Sequence, residues 1–181
     1  MEIGWSVTNM IQREYSTATT KWELPRVKTR TSWHNYFMGI AEAVSERSTC
    51  IRRQIGAVAV RDKRILCTGY NGSPTGIAHC IDTECMRDKL NIPSGEQAES
   101  CMAVHAEMNV ICQAAREGIS LKDSIIYCTT YPCSICTKLM INVGISAIIY
   151  DSDYPDDLSS VFACKLEILH ISKAARLSKN D

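Results

Sequence analysis

Apolar positions along this chain fall at two different spacings, and each spacing predicts a different kind of secondary structure. Trp33, Phe37 and Val44 recur with the period of an α-helix, and Ser32 stands where an N-cap residue is expected. This pattern predicts an amphipathic helix over residues 32–47.

Short apolar runs bounded by turn-forming residues predict β-strands further along the chain. The predicted strands are residues 55–60, 64–69, 124–128, 147–150 and 166–169. The first two are joined by a short hairpin connection. Further helices are predicted over residues 104–116 and from Pro132 onward, and residues 156–164 are interpreted as a short helix or a loop. Strands that alternate with helices in this way predict an α/β fold with one mixed sheet between helical layers.

The chain divides into an N-terminal extension and one domain. Residues 1–31 show no sustained apolar period and are interpreted as partly ordered at best. Residues 32–181 are long enough to form a single core. Within them, a Cys-rich insert at about residues 77–104 contains many turn formers, and an insert of this length usually needs something to hold it.

Charge and cysteine content limit the classes of partner. Twenty Lys and Arg residues balance twenty Asp and Glu residues, so no basic excess favours a long nucleic acid. No basic segment with a following apolar run begins the chain, and no run of about eighteen apolar residues occurs, so we expect a cytoplasmic protein without a membrane partner. In a reducing compartment, the ten cysteines are expected to be metal ligands or buried thiols. The cysteines interpreted as core packing are Cys67, Cys112, Cys128 and Cys164.

Two short segments carry the candidate chemistry. His105-Ala106-Glu107 is followed by Pro132-Cys133 and then by Cys136. One imidazole and two thiolates fill three positions of a tetrahedral zinc and leave the fourth for water, as in catalytic zinc sites. A redox Cys pair or half of a zinc ribbon would need neither the His nor the Glu. The combination is the H-x-E…P-C-x-x-C pattern of zinc-dependent nucleobase deaminases.

Glu107 is the candidate catalytic residue. Residues 105 and 107 are about 200° apart on a helix, so only a position in the first turn lets both serve one site. A glutamate at a helix start is ordinarily a solvated carboxylate, but this one stands two residues from a zinc-ligand histidine. We expect zinc-bound hydroxide to attack C4 of cytosine, with Glu107 moving the protons.

With these motifs in place, the chain resembles the deoxycytidylate (dCMP) deaminase family of the cytidine deaminase superfamily. The resemblance runs from about Trp33 to Leu169. Besides the zinc motif, it rests on residues 56–58, residues 69–76 and the continuation of the His motif to Asn109. It implies a three-layer α/β/α sandwich with a central five-stranded sheet and conversion of dCMP to dUMP and ammonia. It also implies a homohexamer, activation by dCTP and inhibition by dTTP, with Mg²⁺ present only on the regulatory nucleotide.

The resemblance also implies roles for residues near the site. An asparagine in the corresponding loop of related deaminases holds the sugar hydroxyl, which makes Asn71 a substrate-binding candidate together with Ala106. Tyr70, Asn71 and Gly72 lie in the loop that resembles the regulatory nucleotide site, and Arg116 matches an arginine near the phosphate or that site.

Three further residues are candidates for contacts with the substrate. Adjacent arginines suit a phosphate geometrically, so Arg52 and Arg53 are proposed for that role, the alternative being a solvated pair at a helix end. Tyr154 either stacks near the base or caps a loop.

A second zinc site is predicted to hold the Cys-rich insert. Cys50 and Cys80 correspond to structural-zinc cysteines of phage members of the family that the chain resembles. A closed tetrahedral site would take four soft ligands. The candidates are Cys50, Cys80, Cys85, Cys101 and His79, and the choice between His79 and Cys85 stays open.

Two alternatives to dCMP deamination remain at this stage. A deaminase of dCTP or of another pyrimidine nucleotide, nucleoside or base would share the zinc chemistry. A non-catalytic, zinc-stabilised accessory module would use the metal for stability alone, and it would have no need of Glu107 beside the metal.

Overall fold

The computed structural model describes residues 30–177. The predicted extension over residues 1–31 lies outside this range except for its last two residues, so that prediction stays untested. The helices are α1 (Trp33–Ser45), α2 (Met86–Lys89), α3 (Ala106–Glu117), α4 (Ser134–Asn142), α5 (Asp157–Phe162) and α6 (Lys173–Leu177). The strands are β1 (Gly56–Arg61), β2 (Arg64–Tyr70), β3 (Ile125–Thr130), β4 (Ala147–Ser152) and β5 (Glu167–His170).

Helix α1 confirms the expectation drawn from its apolar stripe. Its N-cap is Ser32, whose hydroxyl accepts a hydrogen bond from the backbone N–H of Asn35 at 3.2 Å. Phe37, Met38 and Ala41 form its buried face. The amphipathic pattern therefore reports how this helix lies on the sheet.

All five strands join one mixed sheet in the order β2-β1-β3-β4-β5. Strand β1 pairs antiparallel with β2 and β3, while β3, β4 and β5 run parallel. The β1–β2 connection is a two-residue turn at Asp62 and Lys63, whose φ angles of 52° and 61° suit a hairpin. The predicted mixed sheet is confirmed.

Side chains of the central strands alternate between two apolar layers. Val58, Val60 and Tyr127 pack against α1 on one face. On the other face, a larger cluster packs the sheet against α3 and α4. Its members include Ala57, Ala59, Val110, Ile126, Cys128, Met140 and Ile148. The three-layer α/β/α sandwich expected from the sequence is therefore present.

Two cysteines correct the interpretation of the thiols. Cys67 and Cys128 are buried as predicted, but Cys112 and Cys164 are exposed, so their assignment to the core is wrong. Cys112 follows the buried Val110 by two positions on α3, a rotation of about 200° that turns it to the outer face. Cys164 lies in the single 3₁₀ turn after α5.

A tight contact between β1 and α1 gives a test of the sandwich. A Cβ atom at Gly56 would overlap the carbonyl oxygen of Ala41 and lie 2.5 Å from the backbone nitrogen of Ser45. Gly56→Ala is therefore expected to lower the free energy of unfolding by about 1–3 kcal/mol, because the helix must move away. Gly39→Ala is the matched control, since nothing lies within 4 Å of its Cβ position in α1.

The control substitution is expected to raise stability by about 0.5–1 kcal/mol, as alanine is the better helix former. Denaturant unfolding followed by circular dichroism measures both changes. Equal effects of the two substitutions would contradict the close packing at Gly56.

The segment after β2, which includes the Cys-rich insert, contains regular structure. It contains α2 and a 3₁₀ turn at Ala98–Ser100, and Gly72 pairs with Val104 in an isolated antiparallel bridge.

None of the helices within residues 30–177 has the length and apolar character that a membrane span requires.

Candidate active site

The two segments of the motif meet because each begins a helix on the same face of the sheet. His105 is the N-cap of α3 and Cys133 is the N-cap of α4, both with extended backbone angles. The Cys133 sulfur accepts a hydrogen bond from the backbone N–H of Cys136 at 3.5 Å. Helix starts present free N–H groups and a positive dipole end, which favour thiolate there.

His105, Cys133 and Cys136 come together as a three-ligand cluster. The Nδ1 atom of His105 lies 3.3 Å from the Cys133 sulfur and 3.4 Å from the Cys136 sulfur. In a tetrahedral zinc site, ordinary Zn–N and Zn–S bond lengths place such atoms about 3.5 Å apart. Within residues 30–177, no other three His, Cys, Asp or Glu side chains bring their ligand atoms within 4.8 Å of one another. The donor set and its spacing therefore fit zinc.

The two sulfurs differ in charge before any metal binds. A hydrogen bond from the Cys136 thiol, with a further contribution from His105, lowers the pKa of Cys133 to about 4. The same hydrogen bond and burial raise the pKa of Cys136 well above its ordinary value. One thiolate is thus ready to bind a cation, and the second proton leaves when a metal takes its place.

Glu107 lies in the first turn of α3, as the helix geometry required. The residue is only 3% exposed. Burial raises the pKa of its carboxyl group to about 6, although the positive charge of His105 acts in the opposite direction. A carboxyl group with this pKa exchanges its proton readily near neutral pH, which suits proton transfer.

Asp156 holds the Cys-bearing helix in place, a role that the sequence did not reveal. Its Oδ2 accepts from the backbone N–H of Ser134 at 2.8 Å, and its Oδ1 accepts from that of Ser159 at 3.0 Å. Ser159 in turn donates to the carbonyl oxygen of Pro132 at 2.8 Å. The carboxylate therefore joins the starts of α4 and α5 beside Cys133.

Asp156→Ala is expected to weaken zinc binding about ten- to hundredfold, because groups that orient metal ligands have effects of this size. Competition with a chromogenic chelator measures the zinc affinity. Asp153→Ala, at an exposed carboxylate of the same loop, is the control and should leave that affinity unchanged. An unchanged affinity in the Asp156 variant would contradict this positioning role.

One cavity lies over the cluster and Glu107. Of the residues proposed from the sequence for the substrate, Arg52, Arg53, Asn71 and Tyr154 line it, whereas Ala106 is not among its described lining residues. Ser94, Ala103, Thr130, Tyr131 and Arg87 also line it, and the sequence analysis missed them. The position of Arg87 two residues after a candidate metal-ligand cysteine was the only available signal. A single arginine in an irregular insert has no periodicity that could reveal it.

The two proposed phosphate-binding arginines are held differently. The guanidinium of Arg53 lies over the ring of Tyr154, 5.1 Å from its centroid. Arg52 donates to the carbonyl oxygen of Ile92 at 3.0 Å and lies 3.5 Å from a carboxylate oxygen of Asp88. Arg52 therefore fixes the insert beside the cavity.

Asn71 is buried, and its side chain already makes three hydrogen bonds. Its Oδ1 accepts from the Ser48 hydroxyl at 2.6 Å and from the Ile55 backbone N–H at 2.8 Å. Its Nδ2 donates to the carbonyl oxygen of Arg53 at 2.8 Å. An amide nitrogen has two hydrogens, so one donor is left for a sugar hydroxyl.

The candidates for the second zinc site surround the same cavity. Cys50, Cys80, Cys85 and Cys101 all line it. Burial and, in decreasing order, the charges of Cys85, Cys50 and Cys101 raise the pKa of Cys80. His79 is not among the described lining residues, and its Nδ1 lies 3.1 Å from the Thr49 hydroxyl. No three of the five candidates bring their described ligand atoms within 4.8 Å of one another, so they border the cavity without forming a cluster, and the choice between Cys85 and His79 stays a prediction.

Of the four residues proposed for a regulatory nucleotide, Asn71 lines the cavity and the other three lie elsewhere. Tyr70 is 38% exposed, and its carbonyl oxygen accepts from Asn109 at 2.7 Å. The Arg116 side chain is 85% exposed, and its Nε lies 3.6 Å from Glu117. Gly72 is buried against Thr49. Tyr70, Gly72 and Arg116 are not among the residues that line the cavity, so a direct contact of Arg116 with a substrate phosphate there is not supported.

Zinc-dependent nucleobase deaminases are the class of protein in which a His–Cys–Cys ligand set leaves one position open beside a glutamate. Residues 31–152 match the family described as the cytidine and deoxycytidylate deaminase zinc-binding region. This match covers most of the chain. The protein therefore belongs to the cytidine and deoxycytidylate deaminase family.

Individual relatives agree with this assignment. Deoxycytidylate deaminase of Schizosaccharomyces pombe is 37% identical over 128 residues, which cover 71% of this chain and 39% of that protein. Deoxycytidylate deaminase of Mycobacterium phage D29 is 39% identical over 129 residues, covering 68% of this chain and 98% of the phage protein. The chain thus spans about two fifths of the length of the yeast relative and nearly all of the phage one.

The fold matches a solved structure as well. The dCMP deaminase of cyanophage S-TIM5, crystallised in complex with dCMP and dUMP, superposes with a TM-score of 0.60 at 26% sequence identity. The match covers 75% of this chain and 94% of that one.

Proposed function

We propose that this protein is a zinc-dependent hydrolase that converts dCMP to dUMP and ammonia. The observation that carries the proposal is the burial of Glu107 beside the cluster of His105, Cys133 and Cys136. The cavity over this group is also lined by arginine and tyrosine side chains. The names of the yeast and mycobacteriophage relatives, and the nucleotides bound in the cyanophage structure, support dCMP as the substrate.

The chain supplies the ligands and the proton transfers. A zinc ion held by His105, Cys133 and Cys136 would supply Lewis acidity, which brings the pKa of water down to the order of 7 in favourable sites. Glu107 moves both protons of the attacking water in turn, the first to the ring nitrogen N3 of cytosine and the second, from the hydroxyl group then on C4, to the departing amine. Water adds at C4 and ammonia leaves. Burial keeps bulk solvent away from this carboxyl group.

The surrounding residues are proposed to orient the nucleotide. The remaining amide hydrogen of Asn71 points to a role with the sugar, and the Arg53–Tyr154 pair offers both a cation and an aromatic ring. Ala106, fully buried at the first position of α3, is proposed to contact the base through its backbone.

Other pyrimidine substrates and a non-catalytic module are the alternatives. A module that uses zinc only for stability needs no buried carboxyl group beside an open metal position, and burying one costs free energy. Ammonia release from dCMP, dCTP, cytidine and deoxycytidine separates these possibilities. We expect dCMP to give the largest kcat/KM. A preference for dCTP or for a nucleoside would replace the proposed substrate, and no release from any of the four would favour the module.

A second, structural zinc is proposed at Cys50, Cys80, Cys85 and Cys101. Its support is the arrangement of all four thiols around one cavity, together with the electrostatic effect of the other three on Cys80. A closed set of four thiolates would hold the insert against the rest of the domain.

Nucleotide control and assembly are also proposed. Tyr70 and Arg116 are exposed and therefore accessible to an effector, which supports regulation by dCTP or dTTP carried with Mg²⁺. Repeating the dCMP assay with dCTP and Mg²⁺, or with dTTP, measures that control. The proposed homohexamer is tested by the mass of the protein in solution, and a cytoplasmic location completes the proposal.

A further inference from the structure

Arg87 is a buried cation at the edge of the candidate active site. It is 7% exposed and lines the cavity that contains His105 and Glu107. One of its terminal nitrogens donates to the carbonyl oxygens of Pro93 and Glu96, the latter at 2.7 Å. These two bonds fix the guanidinium group and order the insert loop around it.

The hydrogen bonds of Arg87 leave its charge uncompensated. Its Nε is buried and donates to no described residue. Among the side chains that the structure describes, no carboxylate lies close enough to form an ion pair with it. Removing a guanidinium group from water without an anionic partner is costly, and carbonyl oxygens offset only part of that cost.

The other side chains around the cavity also bear on how the charge of Arg87 is compensated. The described residues that line it include three arginines and one carboxyl side chain, that of Glu107, beside the thiol groups of Cys133 and of the four candidate ligands of the second zinc. Arg52 has Asp88 as its partner, and Arg53 lies over Tyr154. Arg87 is therefore the arginine of the three that backbone carbonyl groups hold in place and that has no carboxylate partner among the described side chains.

The loop that Arg87 orders also closes against the other side of the cavity. Gly95 has a φ angle of 89°, and a Cβ atom there would overlap the carbonyl oxygen of Pro155. Pro155 follows Tyr154, which lines the cavity. The Arg87 guanidinium thus sits on a wall that reaches the aromatic side of the site.

We propose that Arg87 binds the phosphate monoester of the substrate and selects nucleotides over nucleosides. This inference rests on the proposed function and adds a specificity-determining residue to it. The two carbonyl bonds use only one terminal nitrogen of the guanidinium group, which leaves further N–H donors for a phosphate oxygen and holds the group in place before the ligand arrives.

Steady-state kinetics of Arg87→Gln with dCMP and with deoxycytidine provide the test. We expect kcat/KM for dCMP to fall about ten- to hundredfold, the size of a lost hydrogen bond to a charged group, with a threefold change at most for deoxycytidine. Arg87→Lys keeps the charge without the planar fork, so it should lose less on dCMP and likewise spare deoxycytidine.

Arg61→Gln is the matched control. Arg61 also donates from one nitrogen to two carbonyl oxygens, those of Ser120 at 3.0 Å and Lys122 at 2.9 Å, but it does not line the cavity. It should leave the ratio of the two kcat/KM values unchanged.

Several results would overturn the proposal. Equal losses on dCMP and deoxycytidine in both Arg87 variants would show that the residue only supports the loop. Loss of zinc from the Arg87 variants would show that its counter-charge is a metal–thiolate group instead. If wild-type protein deaminates neither compound, the proposed function fails, while equilibrium binding of dCMP and deoxycytidine to the wild type and to Arg87→Gln still decides the role of Arg87.

Discussion

Glu107→Gln is expected to lower kcat for dCMP by roughly 10²–10⁴-fold, the range that positioned proton transfer contributes. Glutamine has nearly the same shape, so it fills the buried position without a void. It has no ionisable proton, so it can neither accept one from water nor deliver one to the base. The residual rate should not exceed a few per cent of the wild-type rate.

The same variant is expected to keep its zinc. Glu107 is not one of the three clustered ligands, and its burial raises the carboxyl pKa to about 6, so an uncharged amide is well tolerated there. Zinc content is measured by plasma emission spectrometry on the purified protein. Glu117→Gln, at an exposed carboxylate in the last turn of the same helix, is the control and should retain full activity.

Activity in Glu107→Gln close to that of the control would remove this residue from the mechanism. Loss of both zinc and activity would instead make Glu107 a structural support of the metal site.

Cys136→Ser is expected to abolish dCMP deamination, with a loss greater than about a thousandfold, because Lewis-acid chemistry requires the metal to be held. The Cys136 side chain is fully buried and lies 3.4 Å from the His105 Nδ1. A serine hydroxyl is not ionised near neutral pH, so it is a poor replacement for a thiolate ligand. Two remaining ligands should not retain zinc at the catalytic position.

Zinc stoichiometry makes this prediction quantitative. With the proposed second site, wild-type protein should contain about two zinc ions per chain and Cys136→Ser about one. The control is Cys112→Ser, which changes an exposed thiol of α3 and should keep both zinc and activity. One zinc ion in the wild type would reject the second site alone, while an active Cys136 variant would reject the catalytic assignment.

The sequence predicted those parts of the molecule whose residues are close together in the chain. The apolar period of α1 with its Ser32 cap and the short apolar runs of β1 and β3 are local patterns, so the sequence alone predicts these elements. The His105–Glu107 and Cys133–Cys136 spacings likewise predict the zinc ligands and the proton-transfer residue from short segments. The family match confirms the zinc-binding region.

The remaining parts depend on contacts between distant segments. Asp156 joins the starts of two helices through hydrogen bonds. Arg87 lies at the cavity because carbonyl groups of its own loop hold it there. Neither arrangement produces a periodic pattern in the sequence. Cys112 was assigned to the core because apolar residues flank it, although the helix turns it outward. Apolar neighbours therefore misjudge this thiol, because the buried face of the helix is formed by Ala106, Val110 and Ala114 instead.

The position of the ligands at two helix starts has a consequence for folding as well as for catalysis. His105 and Cys133 are 28 residues apart, with all of α3 and β3 between them. A zinc ion bound to both residues would act as a removable cross-link. By the chain-entropy treatment used for disulfides, closing a loop of this length raises the free energy of unfolding by about 3–4 kcal/mol. The melting temperature of this protein should therefore rise with the concentration of free zinc.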